Sequence, residues 1–418
     1  MRVFKFGGAS VKNAAAVKNV ASIIAQYNDR PLVVVVSAMA KTTNALEEVV
    51  RMWRADGQKA AELFTSVIDF HREVVRDLFA NTVPDSLHAF IEEIEKSTIN
   101  QLEKPAPESY GQAYDAIVHK GELLSTRIIN AYLQSAGHKA IWTDTRELIV
   151  TNTAHRRATV DWNETGIRIT RAITEPHIYL VQGFIGSTAN GVPTTLGREG
   201  SDYTAAVFAH ILNAEEVTIW KDVPGVLNGD PKVFNNTVLL EEISYREAIE
   251  LAYYGASVIH PKTIQPLQEK NIPLAVKSFV DPTKPGSVIK KGSALKPITP
   301  CYIQKKNQAL ISISTRDLAF IVEEHLRLIY NIFDTHGVTV NTMQNSAISS
   351  SFCVDNDQNI LPKAITDLEA HFDVRLNTDL ELYTIRHHTG KTREAIKGTK
   401  EALLEQITRN TYQVVLPA

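Results

Sequence analysis

The sequence has few cysteines and no long hydrophobic run. Only Cys301 and Cys353 occur among 418 residues, which is too few for a disulfide framework and gives no paired spacing of metal ligands. No apolar run reaches the roughly 18 residues that a membrane span needs, and the N-terminal residues do not have the pattern of a secretion signal. We therefore expect a cytoplasmic protein from a reducing compartment, with no membrane partner.

The sequence also has little net charge. The 44 Lys and Arg residues nearly balance the 47 Asp and Glu residues, which gives a formal net charge of −3, and the basic residues form no block. A protein that coats a polyanion usually has a basic patch, so we expect no nucleic-acid partner. The remaining composition, 44% hydrophobic and 22% charged, is that of an ordinary globular protein with about two to four domains.

Short β-branched apolar segments alternate with helical patterns over the first part of the chain, which is typical of βαβ units around a mainly parallel sheet. We predict strands at residues 3–6, 32–36, 138–142, 178–184, 217–221 and 273–278. Between about residues 42 and 133 apolar residues recur at spacings of three and four, which predicts an inserted helical lobe. Together these patterns predict an α/β domain over residues 1–290.

A stretch rich in Pro, Gly, Lys and Ser near residue 281 indicates a connection between domains. Beyond it, predicted elements follow a β-α-β-β-α-β order of ferredoxin-like type. The strands lie at 309–314, 338–343, 350–354 and 372–376, and the helices at 321–336 and 362–371. A partial set follows, with a strand at 380–386, a helix at 392–407 and a strand at 412–416. We predict a second domain over residues 296–418, with two α+β modules of which the second is shortened.

The first candidate site follows the first predicted strand, where Lys5, Gly7, Gly8 and Ser10 precede a helix. Two glycines there let the backbone approach a phosphate, and a helix N-terminus offers unpaired N–H donors. The string matches neither the P-loop nor the G-x-G-x-x-G pattern. For the glycine pair alone, an ordinary tight turn is the simpler interpretation.

The second candidate site is a polar, glycine-rich string from Thr194 to Tyr203, before a helix predicted at 204–212. Ligands of α/β proteins bind outside the carboxyl ends of the strands, where such a string would lie. Ser201 and Asp202 could simply cap the helix. Capping does not explain Arg198, whose planar guanidinium suits bidentate binding of a carboxylate, so both interpretations stay open.

Two further strings are weaker. Lys221 and Asp222 lead from a buried strand into a Pro-Gly turn, and Asp230 and Lys232 follow, as a nucleotide site could require. An ordinary turn is the commoner explanation. Glu122 lies on a predicted helix beside other polar residues of the same face, where a solvated glutamate is the commoner case.

Taken together, these strings resemble the aspartokinases of the amino acid kinase family, over nearly the whole chain. The matching strings are residues 5–10, 36–39 with 43–44, 121–122 with 125 and 127, 194–203, 222–226 with 230–231, 247–248, 255–256, and 260–261 with 263. The C-terminal modules are similar to the paired ACT domains of that family. The resemblance implies an amino acid kinase fold, with a mainly parallel sheet sandwiched by helices, followed by ferredoxin-like ACT modules.

The resemblance also implies a reaction. Aspartokinases transfer the γ-phosphoryl group of ATP, with Mg²⁺, to the side-chain carboxylate of L-aspartate. The product, 4-phospho-L-aspartate, begins the route to lysine, threonine and methionine. A carboxylate with a pKa of about 3.9 is already ionised at neutral pH and needs no catalytic base. The difficulty is repulsion between two anions, which cations and N–H donors must overcome.

Roles for individual residues follow from the resemblance. Lys5 and Asp202 would be catalytic. The phosphate-binding residues would be Gly7, Gly8 and Ser10. The aspartate-binding residues would be Thr43, Glu122, Arg198 and Ser201, with Arg198 on the α-carboxylate and Glu122 on the α-ammonium. The nucleotide-binding residues would be Lys221, Asp222, Asp230 and Lys232. No residue is predicted as a direct metal ligand.

Three positions depart from the family pattern. Ala9 stands where Thr is usual, and Glu199 where Gly is usual. Ser257 stands where many members have a basic residue, with Lys262 as a possible substitute. The departures at Ala9 and Ser257 motivate an alternative, a non-catalytic amino-acid-sensing subunit with a kinase fold. A kinase for glutamate, carbamate or a nucleotide is a third possibility.

The ACT-like modules imply feedback inhibition by lysine or threonine and assembly into a homodimer or homotetramer. Effector contacts are expected at Asp317, Asn341, Met343, Asn345 and Ser346. A dimerisation module that has lost its effector is the alternative.

Overall fold

The computed structural model describes residues 1–27, 31–80, 82–256, 259–292, 294–317 and 319–418. The chain forms two compact units. The first consists of Met1–Val226, Leu239–Ile249 and Ile259–Leu295, and the second of Leu227–Val238, Glu250–Val258 and Lys296–Ala418. No helix in these described ranges combines the length and the apolar character that crossing a bilayer would require.

Strands and helices are interspersed along the chain up to residue 295, with one run of helices between the second and third strands. The strands are β1 (Arg2–Phe6), β2 (Leu32–Val36), β3 (Ala140–Thr143), β4 (Val150–Thr151), β5 (Ile178–Gln182), β6 (Ile185–Thr188), β7 (Pro193–Thr195), β8 (Glu216–Lys221), β9 (Glu242–Ser244), β10 (Leu274–Ser278) and β11 (Ser287–Lys290). The helices are α1 (Ala14–Ala25), α2 (Thr42–Trp53), α3 (Gly57–Phe79), α4 (Asp85–Leu102), α5 (Tyr110–Val118), α6 (Lys120–Ser135), α7 (Thr145–Leu148), α8 (Trp162–Ala172), α9 (Gly200–Ile211), α10 (Tyr245–Tyr254) and α11 (Pro261–Glu269).

The main sheet of the first unit has the strand order β3-β5-β2-β1-β8-β10-β11-β9. Its strands are parallel except for the antiparallel pair β10 and β11. Every residue of β2 is buried, as expected of a strand covered on both faces. The central position of β1 places Lys5 opposite Val35 and Ile219, so the end of β1 lies beside the ends of β2 and β8. The predicted α/β fold is confirmed.

Helices α2 to α6 fill the segment in which apolar residues recur at helical spacing. In α3 the buried residues include Phe64, Val67, Ile68, Val74 and Val75, which share one face because they are three, four or seven positions apart. A second, small sheet has the order β4-β6-β7 and leads directly into the glycine-rich string before α9.

The second unit contains one antiparallel sheet with helices. Its elements are β12 (Cys301–Ser314), α12 (Glu323–His336), β13 (Val340–Asn345), β14 (Ser349–Asp355), α13 (Leu361–Glu369), β15 (Asp373–Arg386), α14 (Gly390–Lys397), β16 (Leu404–Ile407) and β17 (Thr411–Pro417). The strand order is β13-β14-β12-β15-β17-β16. Strands β12 and β15 each span 14 residues and pair with each other, so both predicted modules contribute to one continuous sheet.

Two predicted elements of this unit are wrong. The helix predicted at 392–407 ends at Lys397, because Gly398 takes a positive φ of 55° and the following β16 pairs with β17. The strands predicted at 372–376 and 380–386 are one strand, β15, which continues through the polar residues between them.

Candidate active site

One cavity of about 480 Å³ in the first unit collects charged side chains from distant parts of the chain. It lies where the carboxyl ends of parallel strands meet, the usual ligand position in α/β proteins. Its lining residues are Lys5, Ser37, Thr43, Tyr114, Glu122, Arg156, Phe184, Gly197, Arg198, Glu199, Gly200, Ser201, Asp202 and Lys221. The predicted residues Lys5, Thr43, Glu122, Arg198, Ser201, Asp202 and Lys221 are therefore brought together.

A carboxylate between two lysines forms one part of the cavity. Lys5 Nζ lies 2.5 Å from Asp202 Oδ1, and Lys221 Nζ lies 4.0 Å from Asp202 Oδ2. Asp202 is almost completely buried, so the ion pair with Lys5 is poorly screened by water. The ammonium groups of Lys5 and Lys221 make this part of the cavity suited to an anionic ligand.

Close packing requires the second glycine of the pair after β1. A Cβ atom on Gly8 would lie 2.8 Å from the carbonyl oxygens of Ala38 and Ala40, which is too close for any side chain. A Cβ atom on Gly7 would lie 3.4 Å from Lys5 Nζ. The Ser10 hydroxyl is buried and donates to the Trp220 carbonyl at 3.3 Å, and Ser10 does not line the cavity.

Glu122 is a buried acid rather than a solvated surface glutamate. It lies on α6 with 2% of its surface exposed, and its Oε1 accepts a hydrogen bond from the Ala38 backbone N–H at 3.3 Å. Oε2 has no hydrogen-bond partner among the described residues. Burial raises the pKa of Glu122 to about 8. A buried acid without a second partner is costly for the fold, which points to a cationic ligand.

The loop before α9 presents Arg198 to the cavity. Gly197 and Glu199 both have a positive φ, 79° and 53°, so the backbone turns sharply on either side of Arg198. In the described part of the chain, no residue forms a hydrogen bond or an ion pair with the Arg198 guanidinium. Helix α9 begins at Gly200 with Glu199 as its N-cap, so the capping role considered for Ser201 and Asp202 is wrong. Both residues lie in the first turn of α9 and face the cavity.

Glu199 also connects this loop to α11. Its Oε2 accepts a hydrogen bond from the His260 backbone N–H at 2.8 Å. His260 in turn caps α11, because its Nδ1 accepts from the Lys262 backbone N–H at 3.1 Å. The Lys262 ammonium donates to the Leu196 carbonyl at 3.1 Å and does not line the cavity. The Lys262 ammonium thus already has a partner within the first unit. Ser257 lies outside the described residues.

The other predicted nucleotide residues do not line the cavity. Asp222 is exposed in the turn after β8. Asp230 and Lys232 belong to the second unit, where the Lys232 backbone N–H donates to Asp230 Oδ1 at 2.9 Å. Their contact with a nucleotide stays a prediction.

Several lining residues were missed from the sequence, namely Ser37, Tyr114, Arg156, Phe184 and Glu199. Ser37 directly follows β2, and Phe184 lies two residues after β5, so the strand-end rule could have found them. Tyr114 and Arg156 carry no such signal. They reach the cavity because α5 and the loop after β4 fold over it, and no local pattern encodes that approach.

The predicted effector residues bond with neighbours inside the second unit. Asn341 Oδ1 accepts from Lys305 Nζ at 2.6 Å, and Asn341 Nδ2 donates to Gln308 Oε1 at 2.7 Å and to Asp355 Oδ1 at 2.8 Å. Four other predicted residues each form one hydrogen bond with a described neighbour, namely Asp317, Met343, Asn345 and Ser346. Folding thus already provides partners for these groups.

Comparisons with known proteins show the family to which this chain belongs. The sequence model of the Amino acid kinase family matches residues 1–278. Aspartokinase 1, chloroplastic, of Arabidopsis thaliana is 33% identical over 378 residues, which cover 84% of this chain and 63% of that protein. The chain spans less than two thirds of the length of the curated relatives it matches first.

Two solved structures of E. coli aspartokinase III are also similar, each covering 100% of this chain and 96% of the other. The complex with aspartate and ADP (R-state) has 26% identity and a TM-score of 0.83. The complex with lysine and aspartate (T-state) has 26% identity and a TM-score of 0.81. The predicted resemblance to aspartokinases is confirmed.

Proposed function

This chain belongs to the amino acid kinase family, and on that premise we propose that it is an aspartate kinase. It transfers the γ-phosphoryl group of ATP to the β-carboxylate of L-aspartate and yields 4-phospho-L-aspartate and ADP. One observation carries this proposal: a single cavity joins the Lys5, Asp202 and Lys221 cluster to Arg198 and the buried acid Glu122. Aspartate and ADP in the complex of E. coli aspartokinase III support the same pair of ligands.

The two lysines serve the phosphoryl group. A β-carboxylate oxygen attacks the γ-phosphorus, and the bond from that phosphorus to the bridging oxygen of ADP breaks. Charge on the transferring oxygens is stabilised by Lys5 and Lys221, which act in a site partly shielded from water. Asp202 holds Lys5 in position through the 2.5 Å ion pair. No proton has to leave the acceptor, because its carboxylate is already ionised.

Arg198 and Glu122 serve the acceptor amino acid. The Arg198 guanidinium can bind the α-carboxylate through two parallel hydrogen bonds. The α-ammonium binds Glu122, whose Oε2 otherwise has no hydrogen-bond partner among the described residues. Because burial raises the Glu122 pKa to about 8, the acid gives up a proton when the ammonium binds at neutral pH. Thr43 and Ser201 add hydroxyl groups to the same cavity.

The nucleotide enters as MgATP, with Mg²⁺ bound to its phosphate oxygens, as is common in kinase sites. Its phosphates lie near Lys5 and the Gly7-Gly8 backbone in this proposal. Lys221, Asp222, Asp230 and Lys232 remain the predicted contacts of the rest of the nucleotide.

The second unit is proposed as a regulatory domain of two ACT-like modules, over residues 296–418. Lysine in the T-state complex of E. coli aspartokinase III supports lysine as the effector, with threonine as the other candidate. Asp317, Asn341, Met343, Asn345 and Ser346 remain the predicted effector contacts. We further propose a homodimer or homotetramer assembled through these modules and a cytoplasmic enzyme of lysine, threonine and methionine biosynthesis.

A hydroxamate assay tests the activity directly. Purified protein is incubated with MgATP, L-aspartate and hydroxylamine, which traps the acyl phosphate as a coloured hydroxamate. The proposal predicts hydroxamate that depends on both ATP and L-aspartate, and little product with L-glutamate. A protein that binds L-aspartate by calorimetry but forms no hydroxamate would instead be the non-catalytic sensing subunit.

A further inference from the structure

Arg156 adopts a backbone conformation that is unusual for its residue type. It has a φ of 67°, in the left-handed region that disfavours any residue with a Cβ atom. A non-glycine residue keeps such a conformation only when its surroundings hold it there, and such residues cluster at ligand sites. Arg156 lines the cavity described above.

A buried carboxylate holds this conformation. Asp115 on α5 is completely buried and accepts hydrogen bonds from Thr195 Oγ1 at 2.6 Å and from His155 Nδ1 at 2.8 Å. It also accepts the Arg156 backbone N–H at 3.1 Å. Asp115 therefore ties the Arg156 segment to the end of β7, directly before the loop that carries Arg198.

The Arg156 guanidinium is about half exposed, is oriented by two aromatic rings and forms one long ion pair, with Glu47. It lies 4.8 Å from the ring centre of Tyr114 and 5.1 Å from that of Tyr110, which favours a fixed position through cation–π contact. The nearest carboxylate oxygen, Glu47 Oε1, is 3.7 Å away, too far for a hydrogen bond. Glu47 Oε1 already accepts from the Tyr110 hydroxyl at 3.0 Å. Within the described ranges, no residue accepts a hydrogen bond from the Arg156 side chain.

Arg156 is on the Arg198 side of the cavity. A Cβ atom on Gly197, the residue before Arg198, would lie 3.1 Å from the Arg156 carbonyl oxygen, so the two backbone segments are in close contact. The other cations of the cavity, Lys5 and Lys221, are gathered at Asp202 instead. The cavity thus has two lysines near one carboxylate and two arginines on adjoining loops.

We propose that Arg156 is a second substrate-binding arginine, which joins Arg198 in binding the non-reacting α-carboxylate of the acceptor amino acid. This inference rests on the proposed function and deepens it, because it names what makes the site select an amino acid with two carboxylates. Two arginines bind the α-carboxylate more tightly than one and keep it away from the triphosphate. Asp115 is a positioning residue that acts through the Arg156 backbone.

Arg156→Gly is the main test variant. Glycine adopts the φ of 67° without strain and removes only the side chain, so the fold should be retained. Arg156→Lys keeps the charge but loses the planar fork. It becomes the test variant if Arg156→Gly does not fold. Arg157→Ala is the matched control, because Arg157 is the neighbouring exposed arginine and does not line the cavity.

Steady-state kinetics with L-aspartate and with L-isoasparagine, whose α-carboxylate is an amide, separate the outcomes. We expect Arg156→Gly to raise the KM for L-aspartate by about tenfold or more, with the KM for ATP nearly unchanged. Arg156→Lys should lie between this variant and wild type. With L-isoasparagine, Arg156→Gly and wild type should differ by less than about twofold, because no carboxylate remains for Arg156 to bind.

Two results would overturn the inference. One is an unchanged KM for L-aspartate in Arg156→Gly. The other is an equal rise in KM for L-aspartate and for L-isoasparagine, which would indicate a structural role for Arg156. If wild type forms no product from L-aspartate, the proposed function fails separately. Calorimetric titration of L-aspartate then decides the inference: weaker binding by Arg156→Gly supports it, and no binding by wild type rejects it.

Discussion

The residues predicted for the active site and those predicted for the effector site differ in whether their polar groups already have hydrogen-bond partners in the folded protein. In the first unit, the buried Glu122 Oε2 has no described hydrogen-bond partner. The Arg198 guanidinium also has none among the described residues, but it is exposed. In the second unit, Asn341 already bonds with Lys305, Gln308 and Asp355. A buried polar group without a partner costs free energy, so its presence points to a ligand. A group that is already bonded gives no such sign, so the proposal that the second unit binds an effector needs an independent test.

The largest expected effect comes from the lysine at the end of β1. Lys5→Ala removes the cation closest to Asp202 and to the proposed phosphoryl group, so kcat should fall by about 10³-fold. Lys18→Ala, which removes an exposed lysine of α1, is the matched control and should behave as wild type. ADP release at saturating substrates measures both. A loss of less than about fivefold in Lys5→Ala would remove Lys5 from the chemistry.

The next effect concerns the buried acid of α6. Glu122→Gln keeps a hydrogen-bond acceptor for Ala38 but cannot become an anion, so the KM for L-aspartate should rise by about 100-fold. In wild type the Glu122 pKa of about 8 makes the apparent KM fall as pH rises from 6.5 to 8, because the fraction of ionised acid grows. In Glu122→Gln this pH dependence should disappear. A KM for L-aspartate that is flat with pH in wild type would contradict the role of Glu122.

The same pKa shift predicts the sign of a stability effect in the ligand-free protein. The folded-state pKa of Glu122 lies above its ordinary value of 4.5, so its contribution to stability is greatest below pH 4.5 and is lost as pH rises towards 8. Glu122→Gln should therefore gain stability relative to wild type over this pH range, as thermal unfolding at pH 5 and pH 8 would measure.

The smallest effect is expected from the second unit. L-lysine or L-threonine should inhibit the enzyme, and Asn341→Ala should raise the half-inhibiting concentration by about fivefold. The effect is modest because the existing bonds of Asn341 must be exchanged for bonds with the effector. Inhibition curves for wild type and Asn341→Ala measure this shift. If neither amino acid binds or inhibits wild type, the second unit has no such effector site.

The sequence predicted most of the first unit, and the reasons are local. Strands such as β2 are continuous apolar segments, and Lys5, Arg198 and Asp202 stand in strings whose composition marks a site. Boundaries were less exact: α9 begins four residues before the predicted position, because the glycine-rich string is itself the first turn of the helix. The first turn of α9 packs closely against the segment after β5: a Cβ atom on Gly200 would lie 2.6 Å from Phe184 Cδ2, and a Cβ atom on Gly183 would lie 2.5 Å from Ser201.

What the sequence could not predict depends on contacts between distant segments. Arg156 enters the cavity because Asp115, Thr195 and the rings of two tyrosines fix it, and these residues are far apart along the chain. The helix predicted at 392–407 failed for a similar reason. Residues 404–407 pair with β17, and this strand partner outweighs a helical pattern that local spacing suggests.

The central claim is that the two parts of the cavity have different functions: Lys5 stabilises the phosphoryl group, and Arg198 binds the acceptor amino acid. The most direct measurement is the rate of ADP release at saturating MgATP as L-aspartate is varied, for wild type and Arg198→Lys. Because lysine keeps the charge but lacks the planar fork, we predict a KM for L-aspartate raised by about tenfold, with the KM for ATP unchanged. An unchanged KM for L-aspartate in Arg198→Lys would contradict the claim.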